Sequence, residues 1–159
     1  MAQERDLREA ITPEGLTALR AEIEELEGPA RTEMAARIKA ARELGDLKEN
    51  ADYHIAKEDQ AHLETRIKRL RLKLRSAEVV EADDDAPTFA FGRTAEIVDD
   101  AGRRHTWTLV GSTEAALPEG RLSAESPIGR ALRDRGVGEW IRVLTPAGER
   151  TFRIERLFD

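Results

Sequence analysis

Two runs of apolar residues, each stepping by three or four, meet at Gly45. The first runs through Leu16, Leu19, Ile23, Leu26, Ala30, Met34, Ile38, Ala41 and Leu44. The second runs through Ile55, Leu63, Ile67, Leu70 and Leu74, with Asp59 at one inward position. Such spacing puts every member on one face of a helix. Leu63, Ile67, Leu70 and Leu74 step by four, three and four, the seam of a coiled coil. Two helices of roughly 28–32 residues joined by a short bend predict an antiparallel rod about 40–45 Å long, at 1.5 Å per residue. A rod of two helices buries little surface and needs a folded base or a partner. Thr12-Pro13-Glu14 opens the first helix, with Thr as cap and Pro in the first turn. Gly28-Pro29 interrupts it, predicting two collinear pieces or one bent helix.

The bend is Gly45-Asp46-Leu47-Lys48-Glu49-Asn50-Ala51-Asp52-Tyr53. Glycine takes a left-handed backbone without a steric cost, so Gly45 suits the end of the first helix. Asn50 or Asp46 can cap the second. Asp46 and Glu49, three apart, can point the same way. Hard cations accept such oxygens, and Mg²⁺ takes one or two carboxylates alongside water and phosphate. The pair is either a solvated acidic helix end or half of a metal site completed by a partner. No calcium loop is present, and no His/Cys set for zinc. Arg42 and Lys57 flank the bend, as surface charge or as receivers of phosphate or carboxylate. Tyr53 can stack on a base or pack under the bend. Arg66, Lys68, Arg69, Arg71, Lys73 and Arg75 make a basic run farther along, a solvated face or a contact with nucleic acid or with the acidic stretch that follows.

The pattern changes near Ala77. Glu78-Val79-Val80-Glu81 has strand character, and the acidic stretch Ala82–Pro87 reads as a linker. This divides the chain into a hairpin over 1–77, a linker over 78–87 and a globular domain over 88–159. In the last, strands are expected over Arg93–Val98, Thr106–Val110, Trp140–Leu144 and Thr151–Phe158, separated by Gly/Pro turns. Pro127–Arg135 reads as a short helix capped by Ser126. The fold class is therefore α+β: a two-helix hairpin plus a small, mostly antiparallel sheet with one helix. Phe89, Phe91, Trp107, Trp140, Phe152 and Phe158 are enough for its core.

Composition narrows the function. The chain has 159 residues, no cysteine and a net charge of -6. Disulfides, thiolate zinc sites and Cys nucleophiles are excluded. Bulk charge argues against binding bare nucleic acid. Met1–Asp6 is charged and lacks the apolar core of a signal peptide, and no apolar run has membrane-spanning length. A cytoplasmic protein is expected.

The stretch Ala41-Arg42-Glu43-Leu44-Gly45-Asp46-Leu47-Lys48-Glu49-Asn50-Ala51-Asp52-Tyr53, followed by Ala56-Lys57-Glu58 and Arg66-Ile67, closely resembles the tip of bacterial Gre transcript cleavage factors. Ile11-Thr12-Pro13-Glu14-Gly15-Leu16, Ser126-Pro127-Ile128-Gly129-Arg130-Ala131-Leu132 and Thr145-Pro146-Ala147-Gly148-Glu149 extend the resemblance over almost the whole chain. It implies an N-terminal coiled coil and an FKBP-like C-terminal domain. The partner it implies is RNA polymerase, whose secondary channel the rod of a monomeric factor enters. The family's tip acids fall on Asp46 and Glu49. They would help to hold a Mg²⁺ shared with the polymerase and place the water that cleaves backtracked RNA near its 3′ end. The factor is then an accessory to the polymerase, not an enzyme. The family's basic tip positions fall on Arg42 and Lys57, beside the RNA, with Asn50, Asp52 and Tyr53 as further tip contacts. Asp52 stands where glutamate is commoner, and Gly28-Pro29 shifts a proline the family often shows nearby. The acidic balance favours the GreA branch over GreB. Two other readings are a Gre-like binder that occupies the channel without cleavage, which the intact Asp46/Glu49 pair opposes, and an FKBP-like isomerase or chaperone, which rests on fold analogy alone.

Overall fold

The computed structural model describes residues 9–46 and 50–158. They form two compact units. One is Thr17–Ser76; the other joins the chain up to Leu16 to the chain from Ala77 onward.

The first unit is the helical hairpin. Helix α1 (Pro13–Glu25) leads through a single wide turn, Leu26–Ala30, into α2 (Arg31–Arg42); α3 (Ala51–Ser76) forms the other arm. The backbone stays helical across Gly28-Pro29, and the sequence explains how. Leu19, Ile23, Leu26 and Ala30 step by four, three and four, as a heptad requires. Met34 comes four residues after Ala30 where three are due, and Ile38 and Ala41 then resume the alternation. One residue too many must be absorbed here. Leu26–Ala30 absorbs it as a π turn, whose hydrogen bonds span five residues instead of four. A wider turn also eases the proline ring past the carbonyl four residues back. The Gly28 carbonyl accepts from Arg31 N–H and, at 3.1 Å, from Thr32 Oγ1.

Leu19, Ile23, Ile38, Ala41, Ala56, Ile67 and Leu70 are buried along the seam. At the bend the seam departs from the sequence expectation. Ala56 is fully buried, whereas Ile55 is 50% and Leu44 72% exposed. Heptad phase is the reason: Ala56 lies seven and fourteen residues before Leu63 and Leu70, and Ile55 is one position, about 100°, off that line. Leu44 lies beyond the end of α2 and outside its periodicity. Exposed ion pairs staple the arms. Arg31 forms a two-pronged pair with Glu64 at 2.9 and 2.8 Å, and Arg37 meets Asp59 at 2.7 Å. Arg66 bonds Glu22 and Arg71 bonds Glu27. The Arg71 hydrogen bond holds Glu27 below the ordinary carboxylate range, and Arg31 does the same for Glu64. Two members of the basic run thus serve to set arm register.

In the second unit a short parallel pair, β1 (Glu9–Ile11) and β2 (Ala77–Val79), accompanies a five-stranded sheet. Its strands are β3 (Thr94–Asp99), β4 (Arg104–Val110), β5 (Arg121–Ser123), β6 (Trp140–Thr145) and β7 (Gly148–Phe158), in the order β5-β4-β3-β7-β6. All neighbours are antiparallel except β4 and β5. β5, three residues long, has no sequence signature of its own. The helix α4 (Pro127–Leu132) is shorter than the Pro127–Arg135 expected. Arg133 turns extended and Asp134 takes a left-handed backbone, φ 63°, which stops it. Phe89, Phe91, Trp107 and Phe152 fill the core with Ile97, Leu109, Leu132, Ile141 and Ile154. Trp140 does not join them; it is 61% exposed, because the inward positions of β6 are Ile141 and Val143. Buried Arg93 bonds the carbonyls of Ala86 and Phe158, tying the acidic stretch to the last strand. Among the described residues no helix is long and apolar enough to cross a membrane.

Candidate functional site at the hairpin bend

Helix α2 ends where its hydrogen bonding runs out of residues that can continue it. Glu43 N–H bonds the Lys39 carbonyl at 3.2 Å and Leu44 N–H bonds Ala41 at 3.2 Å. Gly45 then adopts φ 128°, a conformation that a side chain would strain. Asp46 follows, exposed in the turn. Glu49, expected beside it, lies outside the described residues together with Leu47 and Lys48.

Asn50 begins the return arm. Its Oδ1 accepts from Tyr53 N–H at 3.1 Å, capping α3. Its Nδ2 donates to the Ala41 carbonyl of α2 at 2.5 Å. One side chain thus joins the end of one arm to the start of the other. Asp52 sits exposed in the first turn of α3, where the helix dipole favours an anion. Tyr53 is half-buried, with the Arg42 guanidinium 5.9 Å from its ring centre and His54 edge-on at 5.7 Å. Of the two cations expected to share the bend, Arg42 is held here over Tyr53. Lys57 turns to Gln60 one turn farther on, at 3.1 Å. The structure therefore brings together Arg42, Asn50 and Tyr53, and leaves Lys57 with a separate partner.

Leu44, Asp46, Asn50, Ala51 and Asp52 line a shallow open hollow. A second is lined by Arg37, Ala40, Ala41, Leu44, Asp52 and Ile55. Exposed Leu44 and Ile55 thus bring apolar surface close to the acids. Sequence periodicity missed this by assigning both to the seam. Among the described residues no three His, Asp or Glu side chains gather as a metal site. An exposed carboxylate on a turn, such as Asp46, can offer hard oxygen ligands to an ion that has other ligands elsewhere.

A family profile described as transcription elongation factor, N-terminal, matches residues 9–79. A second, transcription elongation factor, GreA/GreB, C-term, matches residues 84–157. The chain belongs to the GreA/GreB family of transcription elongation factors. Curated relatives agree over nearly full length. Transcription elongation factor GreA of Bacillus velezensis is 39% identical over 158 residues, 99% of each chain. That of Nautilia profundicola is 41% identical over 152 residues, 94% of each chain. Among solved structures, Gfh1 of Thermus aquaticus is 25% identical, with a TM-score of 0.44, covering 96% of this chain and 99% of that one. Both GreA/GreB profiles match, so the bend described above falls within the family's N-terminal region.

Proposed function

We propose that this GreA/GreB-family chain stimulates RNA polymerase to cleave its own backtracked transcript, with the hairpin bend inserted through the secondary channel. The observation that supports it is Asp46, an exposed acid on a turn between two helices within the family's N-terminal region. Asp46 and Glu49 supply carboxylate oxygens that a buried centre lacks, and either can accept a proton or hydrogen bond from the attacking water. Bound jointly with the polymerase's own ligands, Mg²⁺ would stabilise the attacking and leaving oxygens of the phosphodiester. Arg42 and Lys57 face the RNA phosphates, and Asp52 and Tyr53 meet the channel wall or the RNA. The chain is an accessory: the polymerase performs the cleavage, and the factor works as a monomer in the bacterial cytoplasm.

The test is cleavage in purified, stalled backtracked complexes. Asp46→Ala and Glu49→Ala are expected to lower the cleavage rate by about a hundredfold each, the scale seen when one group stabilising a transition state is removed. Competition for the polymerase against the unaltered chain should stay unchanged. Full cleavage by the double variant would refute the role of the acids.

A further inference from the structure

Asn50 occupies the bend without pointing its polar atoms away from the protein. Both ends of its amide are used internally, one by Tyr53 N–H of α3 and one by the Ala41 carbonyl of α2. Ala41 is itself a buried seam residue, and its carbonyl also receives Leu44 N–H. The turn that carries Asp46 is therefore closed at its base: it leaves α2 one residue after Ala41 and enters α3 one residue before Ala51. Closing it needs a short side chain with a donor and an acceptor together, and asparagine carries both. Aspartate can cap but cannot donate when ionised. Serine caps with a single oxygen on a shorter arm.

We infer that Asn50 is a positioning residue: its amide clasps the two helix ends and so sets where the turn presents the Asp46 carboxylate. This rests on the proposed cleavage role of Asp46. Groups that stabilise a reacting centre must be held within about half an ångström of the productive geometry, and they lose effect steeply as they drift. The clasp acts on cleavage through the acids and leaves docking alone.

Asn50→Asp separates the clasp from the cap. A carboxylate still accepts from Tyr53 N–H, but it cannot donate to Ala41 and sets two acceptors face to face. In the free factor, Asn50→Asp should keep the helical circular dichroism of the unaltered chain. Asn50→Ala should in addition speed hydrogen exchange at Tyr53 N–H. On backtracked complexes, Asn50→Asp should lower cleavage at saturating factor by about tenfold, within the range that small misplacements cost. The half-saturating factor concentration should stay the same, and the Mg²⁺ midpoint for cleavage should rise. A raised half-saturating concentration with a full maximal rate would make Asn50 a direct contact and overturn the inference. So would a maximal rate and Mg²⁺ midpoint that do not change. Asp46→Ala, run alongside, tells the two ideas apart. If it lowers cleavage about a hundredfold while Asn50→Asp leaves the maximal rate and the Mg²⁺ midpoint unchanged, the clasp alone fails; if it retains full cleavage, the reading beneath fails as well.

Discussion

His105 Nε2 lies 2.9 Å from Asp99 Oδ2 at the mouth of the β3–β4 hairpin. The carboxylate is buried, and its Oδ1 accepts from Ala101 N–H and Arg103 N–H, both at 2.9 Å. Arg150 of β7 approaches to 3.6 Å, and His105 in turn stacks on Trp107 with centroids 4.7 Å apart. A single anion thus closes the Asp100–Gly102 turn and ties it to two strands.

A pH dependence follows. The His105 hydrogen bond, helped by the two backbone N–H groups and opposed by burial, takes the Asp99 carboxyl from 3.8 down to about 2. Its folded value lies below its unfolded one. Its stabilising contribution is therefore fully present above about pH 4 and is lost as pH falls toward 2. Thermal melting of the unaltered chain should decline across that window. Asp99→Asn should melt lower at neutral pH and show a smaller decline between pH 4 and 2. Parallel curves for the two proteins would exclude Asp99 as the source.

Glu114 and Gly15 make a second, coupled case. The Glu114 carboxylate accepts from Thr12 N–H at 2.9 Å, Thr12 Oγ1 at 2.5 Å and Gly111 N–H at 3.1 Å. A Cβ on Gly15 would fall 1.7 Å from Glu114 Oε2. Alanine usually favours a helix over glycine by about 1 kcal/mol. Here Gly15→Ala should instead lower the unfolding free energy by about 1–3 kcal/mol, as should Glu114→Ala, because either leaves the partly buried donors of Thr12 unmet. The two should not add: displaced once, the carboxylate cannot be displaced again. Urea denaturation of both single variants and the double variant checks this, and full additivity would refute the coupling.

Much of this was legible because it is local. Thr12 caps α1 through Gly15 N–H at 3.0 Å, and Ser126 caps α4 through Gly129 N–H at 3.0 Å. Gly45 ends the first arm as its backbone freedom suggested. Such features depend on neighbours three or four residues away, and the chain spells them out. The rest depends on partners far along the sequence. Glu114 lies 102 residues from Thr12, and nothing near it announces a helix anchor. Asn50 reads as a cap, but its second bond reaches nine residues back across the bend. Ile55 is more apolar than Ala56, so composition favours it for the seam; heptad phase, fixed by Leu63 and Leu70, selects Ala56. Arg66 and Arg71 look like a free basic face until Glu22 and Glu27 are brought opposite.

The π turn allows one last prediction. The seam of α1 and the seam of α2 are each regular, and they differ in phase by the single residue absorbed at Leu26–Ala30. Deleting Gly28, together with Pro29→Ala so that an ordinary turn can form, removes the surplus and leaves one unbroken heptad from Leu19 onward. Ile38 and Ala41 then still face α3. Deleting exposed Ala36 instead turns Ile38 and Ala41 by about 100° away from the seam. It should cost about 2–5 kcal/mol, the loss expected on emptying a large apolar position. Helical ellipticity followed on heating should therefore show the Gly28 deletion melting close to the unaltered chain and the Ala36 deletion far below it. Equal melting of the two deletions would mean that the extra residue is not what the π turn accommodates.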